Sequence, residues 1–106
     1  MTAELEVAVL TAAFTARSDR EADLAAVLAR YVVLTRGEGG CRNVDLLASA
    51  TESGHFVVIE KWDSPELARA HLDTELMTGM AAAAVPLLAE KPKIDLLDTI
   101  SAHDLN

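Results

Sequence analysis

The sequence predicts an α+β chain in which a four-stranded antiparallel sheet carries its helices on one face. Three observations lead there. Strand-like and helix-like apolar patterns alternate along the chain without a dividing linker. Their order, β-α-β-β-α-(α)-β, is that of the ferredoxin-like split βαβ motif. The length of 106 residues, 51% of them hydrophobic, suits a single domain with a modest core. Only 4% are aromatic, so Ala, Leu and Val must fill that core. So much apolar surface on so short a chain also predicts burial against a second subunit, through the open sheet face.

Leu5 to Thr15 is the expected first strand: Val7, Val9 and Leu10 favour β structure, and the scarcity of polar side chains predicts cover on both faces. Ser18-Asp19-Arg20-Glu21 fits a capping box, and Leu24, Val27, Leu28, Tyr31 and Leu34 follow at helical spacing. Tyr31 reads as a core residue whose hydroxyl must find a partner. Gly37, Gly39 and Gly40 end this helix. They are not a phosphate loop, because they follow a helix and precede a strand.

Cys41 to Thr51 and His55 to Asp63 read as a hairpin joined at Glu52-Ser53-Gly54. The period of two puts Phe56, Val58, Glu60 and Trp62 on one face, with Val57, Ile59 and Lys61 on the other. Ser64-Pro65-Glu66 starts a second helix with a cap, a proline at the first helical position and an acid at the positive dipole end. A third helical stretch is expected from Thr74 to Glu90, with Pro86 bending or ending it. Pro92 to Ser101 is the fourth strand, and a loose polar tail closes the domain at Ala102 to Asn106.

With 17 acidic and 9 basic residues the formal charge is -8, which argues against nucleic acid and anionic membranes as partners. The longest nearly apolar run, Met80 to Ala89, is too short to cross a bilayer. One cysteine, Cys41, gives no disulfide, and Glu4 and Glu6 stand where a signal peptide carries basic residues. A cytoplasmic protein is the expectation. His55, His71 and His103 have no metal-ligand spacing, so no metal is expected.

Glu60-Lys61-Trp62-Asp63-Ser64, followed by Leu67, Ala70-His71-Leu72 and Thr74, with Gly39-Gly40-Cys41 upstream, resembles the antibiotic biosynthesis monooxygenase family, and most closely its quinol monooxygenase branch. The likeness runs from about Val7 to Leu97 in element order and spacing. It implies a dimeric α+β barrel, with two sheets packed face to face and a pocket between sheet and helices in each subunit. It also implies oxidation of an electron-rich aromatic by molecular oxygen with no cofactor. Val58 and Ala68 stand where the antibiotic-pathway oxygenases carry an Asn and a Tyr, so the polar anchors of a polyketide-anthrone oxygenase are missing. Glu75 and Leu76 follow Thr74, where quinol-branch relatives often carry a second histidine. Haem-degrading relatives ligate iron from the long helix, and no histidine lies between His71 and His103.

The chemistry requires deprotonating a hydroxyaromatic, holding it flat and excluding water. His71 is the expected base, because imidazole titrates near pH 6.5. Trp62 offers a flat surface and an N–H donor, and completes the expected catalytic pair. Asn43, Phe56, Val58, Glu60, Met77 and Met80 are the expected substrate contacts; Asn43 is singled out because Asn is depleted in strands, and the methionines because they adapt to irregular ligands. Glu60 is further expected to pair with Arg42 or Arg69. Two other readings stay open: a non-catalytic module for a small hydrophobic ligand or stress response, and a different enzyme, such as a lactone isomerase or decarboxylase, on the same scaffold.

Overall fold

The computed structural model describes residues 7–101. The expected tail, Ala102 to Asn106, and the start of the expected first strand, Leu5 and Glu6, lie outside the described residues. The chain runs β1 (Ala8–Thr15), α1 (Glu21–Thr35), β2 (Cys41–Ala48), β3 (His55–Trp62), α2 (Pro65–Leu72), α3 (Glu75–Ala84), a 3-10 turn (Val85–Leu87) and β4 (Lys93–Asp98). The strands form one antiparallel sheet in the order β2-β3-β1-β4, as the split βαβ order predicts.

Period-two alternation decides which face of the sheet is buried. Ala8, Leu10, Ala12 and Phe14 of β1 and Phe56, Val58, Glu60 and Trp62 of β3 all point under the helices. The main core joins them to Leu24, Leu28, Tyr31 and Val32 of α1 and to Met77, Met80 and Ala84 of α3. A smaller cluster of Ala8, Leu10, Trp62 and Ala68 packs beneath α2. The opposite face carries Val9, Val57 and Ile59, half-buried, with Leu47 and Leu97 exposed at its edges. Among the described residues nothing covers it, so the cover expected over both faces of β1 is present on one.

The helix starts test the local readings separately. Ser64 caps α2 as expected: its Oγ accepts from the Leu67 N–H, and Pro65 takes the first helical position. The capping box at Ser18 does not form. Asp19 adopts a left-handed φ of 67°, and α1 starts at Glu21 behind Arg20, whose guanidinium bonds Asp23 instead. The expected third helix starts where predicted and divides once. Thr74 caps α3, accepting from the Met77 N–H while donating to the His71 carbonyl, so α2 and α3 meet at one residue. Pro86 then sits in the 3-10 turn that ends the helical stretch at Leu87, three residues short of the expected Glu90. β2 stops at Ala48, since Ser49 folds back to accept from the Thr51 and Glu52 amides, and β3 ends at Trp62, one residue short of the expected Asp63.

Gly40 is the glycine this architecture requires. It has φ of 87°, and a Cβ there would lie 2.6 Å from Leu67 Cδ1. The tight passage holds the loop after α1 against α2, and so brings Glu38 beside His71.

Candidate active site

Five side chains from four parts of the chain meet beneath α2. Tyr31 comes from the third turn of α1 and Glu38 from the loop that follows it. Glu60 and Trp62 project from the same face of β3, and His71 from the last turn of α2. The Tyr31 hydroxyl donates to Glu60 Oε2 at 2.5 Å and lies 2.6 Å from His71 Nε2. The Trp62 indole N–H donates to Glu60 Oε1 at 2.9 Å. His71 Nδ1 is 2.8 Å from Glu38 Oε1, and His71 Nε2 is 3.6 Å from Glu60 Oε1. The Trp62 and His71 rings lie against each other, with centroids 4.6 Å apart.

Burial sets the character of the cluster. Tyr31, Glu60, Trp62 and His71 are all at most 4% exposed, whereas the Glu38 side chain is 27% exposed. A carboxylate removed from water is costly unless it is hydrogen-bonded, and Glu60 receives donors on both oxygens. Burial, and next the negative charge of Glu60, push the Tyr31 phenol well above its ordinary range. The same two causes, in the same order, raise the half-buried Cys41 thiol. Thr35, one turn beyond Tyr31, is wholly buried, its Oγ1 without a hydrogen-bond partner.

Beside this cluster lies a groove of about 340 Å³ between α1 and α3, at the small end of ligand pockets. Val27, Tyr31, Leu34, Leu76, Met80 and Ala83 give it apolar walls; Arg30 and Glu75 are its charged members and Gly79 its flat one. Tyr31 is the residue that groove and cluster share.

The expected site residues therefore separate into three groups. His71, Trp62 and Glu60 come together, in the cluster and not on the groove wall. Met80 lines the groove, while Phe56, Val58 and Met77 are core packing. Asn43 is not brought to the site: β2 is an edge strand, and Asn43 is exposed on the uncovered sheet face, donating to Asp45. The expected partners of Glu60 also change. Arg42 pairs with Asp63 at 2.7 Å across the β2–β3 edge, Arg69 is exposed, and Tyr31 and Trp62 occupy the carboxylate. Among the described residues no group of His, Cys, Asp and Glu converges as metal ligands.

The profile of the antibiotic biosynthesis monooxygenase family matches residues 8–83. The chain belongs to that family. The matched span runs from β1 to near the end of α3 and so contains the whole cluster and the groove. The fold of this family member recurs in solved structures. Rv0793 from Mycobacterium tuberculosis is 27% identical with a TM-score of 0.83, covering 91% of this chain and 97% of that one. PA3566 from Pseudomonas aeruginosa is 27% identical with a TM-score of 0.82, covering 94% and 100%. A crystal structure named as an antibiotic biosynthesis monooxygenase, 22% identical, has a TM-score of 0.80 and covers 89% and 99%. No curated protein matches the chain.

The sequence signals Tyr31 in part: a lone phenol among Leu24, Val27 and Leu28 predicts a core residue with a hydroxyl partner, but not that the partners are Glu60 and His71. Glu38, set between two glycines, gives no signal at all, because its role arises only when the loop closes over α2.

Proposed function

We propose that this monooxygenase-family chain oxidises a small electron-rich hydroxyaromatic, such as a hydroquinone or naphthohydroquinone, with molecular oxygen and without a cofactor. The observation that carries the reading is Tyr31, which forms part of an apolar groove and at the same time joins a buried acid–base cluster. A deprotonated hydroxyaromatic can pass an electron to oxygen directly. One oxygen atom then enters the ring, the other leaves as water, and the hydroquinone becomes a hydroxyquinone. The groove supplies the flat apolar slot, and the cluster takes up the substrate proton through Tyr31 toward Glu60, with His71 holding the phenol oxygen in place. Trp62 acts by fixing Glu60 and stacking on His71. As to assembly, we propose a cytoplasmic homodimer formed through Val9, Val57 and Ile59, which would complete the dimeric α+β barrel.

The test is oxygen uptake over a panel of hydroquinones and naphthohydroquinones, against a matched background for autoxidation. The wild type is compared with Tyr31→Phe and His71→Ala. Loss of proton transfer should lower the rate roughly 10²- to 10⁴-fold in each. Equal rates in all three proteins would remove the oxygenase reading for that substrate class. One observation favours the second reading, a binding module: the ring nitrogens of His71 are both engaged and the residue is off the groove wall. In that case the groove binds the aromatic, the single Trp62 reports it by fluorescence, and no oxygen is consumed.

A further inference from the structure

The contacts of the cluster fix how many protons it holds. Three links run between titratable groups: Glu38 Oε1 to His71 Nδ1 at 2.8 Å, His71 Nε2 to Tyr31 Oη at 2.6 Å, and Tyr31 Oη to Glu60 Oε2 at 2.5 Å. Each needs one proton between its heavy atoms, since two lone pairs at such distances repel. Two carboxylates, a neutral imidazole and a phenol bring only two. The indole of Trp62 cannot supply the third, because its N–H is committed to Glu60 Oε1.

We infer that the Glu38–His71–Tyr31–Glu60 chain holds three protons, the third on a doubly protonated His71 ring, with Glu38 as the port through which that proton exchanges with solvent. The Tyr31 hydroxyl donates to Glu60, so its oxygen accepts from a protonated Nε2, and Nδ1 carries the other ring proton toward the part-exposed Glu38 carboxylate. The assignment gives every donor an acceptor: Nδ1–H to Glu38, Nε2–H to the phenol oxygen, and the phenol O–H to Glu60. It also sets the cation 3.6 Å from Glu60 Oε1. Glu38 is the part-exposed member, while the other three are almost fully buried. Of the groups around the chain, the Cys41 thiol is under the influence of both Glu60 and Glu38, and Arg36 at the end of α1 opposes them there. Thr35 adds an unpartnered hydroxyl, and Arg30 and Glu75 stand on the groove side.

The consequence is a one-proton relay. A proton reaching the Tyr31 oxygen from the groove releases the Tyr31 proton to Glu60. Separately, the Nδ1 proton can pass to Glu38 and on to solvent, which leaves a neutral ring whose remaining Nε2–H still donates to the Tyr31 oxygen, so one proton enters at the groove and one leaves at Glu38. Glu38 is thus a positioning residue that acts through His71. The proton count rests on hydrogen bonds alone; only the direction of the relay, from the groove inward, rests on the function proposed above.

The test is nitrogen-15 NMR of the full chain, with His55 and His103 replaced by glutamine so that one imidazole remains. At pH 7 both His71 ring nitrogens should carry protons, and Glu38→Gln should remove one of the two N–H signals. A wild-type ring with one bare nitrogen at pH 7, or an unchanged doubly protonated ring in a folded Glu38→Gln variant, overturns the inference. If Glu38→Gln does not fold, the wild-type spectrum alone decides the count. A doubly protonated ring in a protein that consumes no oxygen would support the count and count against the enzymatic reading.

Discussion

Tyr31 and Glu60, 29 residues apart, meet through a 2.5 Å hydrogen bond in the middle of the core, and that bond ties α1 to β3. Removing the phenol leaves a buried carboxylate oxygen without its donor. Tyr31→Phe is therefore expected to cost about 1–3 kcal/mol, more than the loss of an exposed hydroxyl. Urea denaturation of Tyr31→Phe, Glu60→Gln and the double variant measures the coupling. Strictly additive losses would show that the two groups do not support one another.

The raised phenol also fixes a pH window. A group whose folded pKa lies above its unfolded value keeps its proton longer when folded, so stability falls as pH rises past the unfolded value, near 10 for tyrosine. Below that pH the contribution is fully present. Tyr31 is the only tyrosine, so phenolate absorbance follows it alone. The folded protein is expected to show no phenolate until it unfolds at alkaline pH, whereas the urea-unfolded chain titrates normally. A phenolate that appears near pH 10 with the fold intact would contradict the buried Tyr31–Glu60 contact.

The line between what the residues disclose and what they hide runs between local and tertiary causes. The buried face of β3, the proline start of α2 and the break at Pro86 follow from two-residue periodicity, capping and a missing N–H, all of which act within a few residues. The Ser18 motif has the same local credentials and fails, because the turn at Asp19 takes the left-handed region and delays the helix to Glu21. His71 and Trp62 could be singled out, but their partners could not. Residues 31, 38, 60 and 71 become neighbours only once the sheet and α2 have closed. Asn43 misled for a related reason: on an edge strand, a residue depleted in strands can simply face water.

The uncovered sheet face is testable as an interface. Ile59 sits near its centre, half-buried within one chain and paired with Thr11 and Asp45. Ile59→Lys would place a charge where the proposed partner sheet packs, and should shift sedimentation from dimer to monomer with the circular dichroism retained. Wild-type protein that sediments as a monomer at all concentrations would dismiss the interface.

Gly40 carries two separable penalties. A side chain at φ of 87° is strained, and a Cβ would press on Leu67 Cδ1 at 2.6 Å. Gly40→Ala is expected to lower stability by about 1–3 kcal/mol and to loosen Glu38 from His71. Adding Leu67→Ala relieves the clash but not the backbone strain, so recovery should be partial. Full recovery would assign the whole effect to the contact with Leu67.

Gly79 separates the groove from the cluster. It lies on α3 in the groove wall, and a Cβ added there meets nothing within 4 Å. Leucine at this position is also a better helix former than glycine by about 1 kcal/mol, so Gly79→Leu should fold at least as well as wild type. Its side chain would nevertheless occupy part of a volume of about 340 Å³ and leave Tyr31, Glu60 and His71 undisturbed. Oxygen uptake with the larger naphthohydroquinones should then fall more than with hydroquinone, while Gly79→Ala stays near wild type. Unchanged uptake across the panel in Gly79→Leu would place the substrate somewhere other than between α1 and α3, and with it the working end of Tyr31.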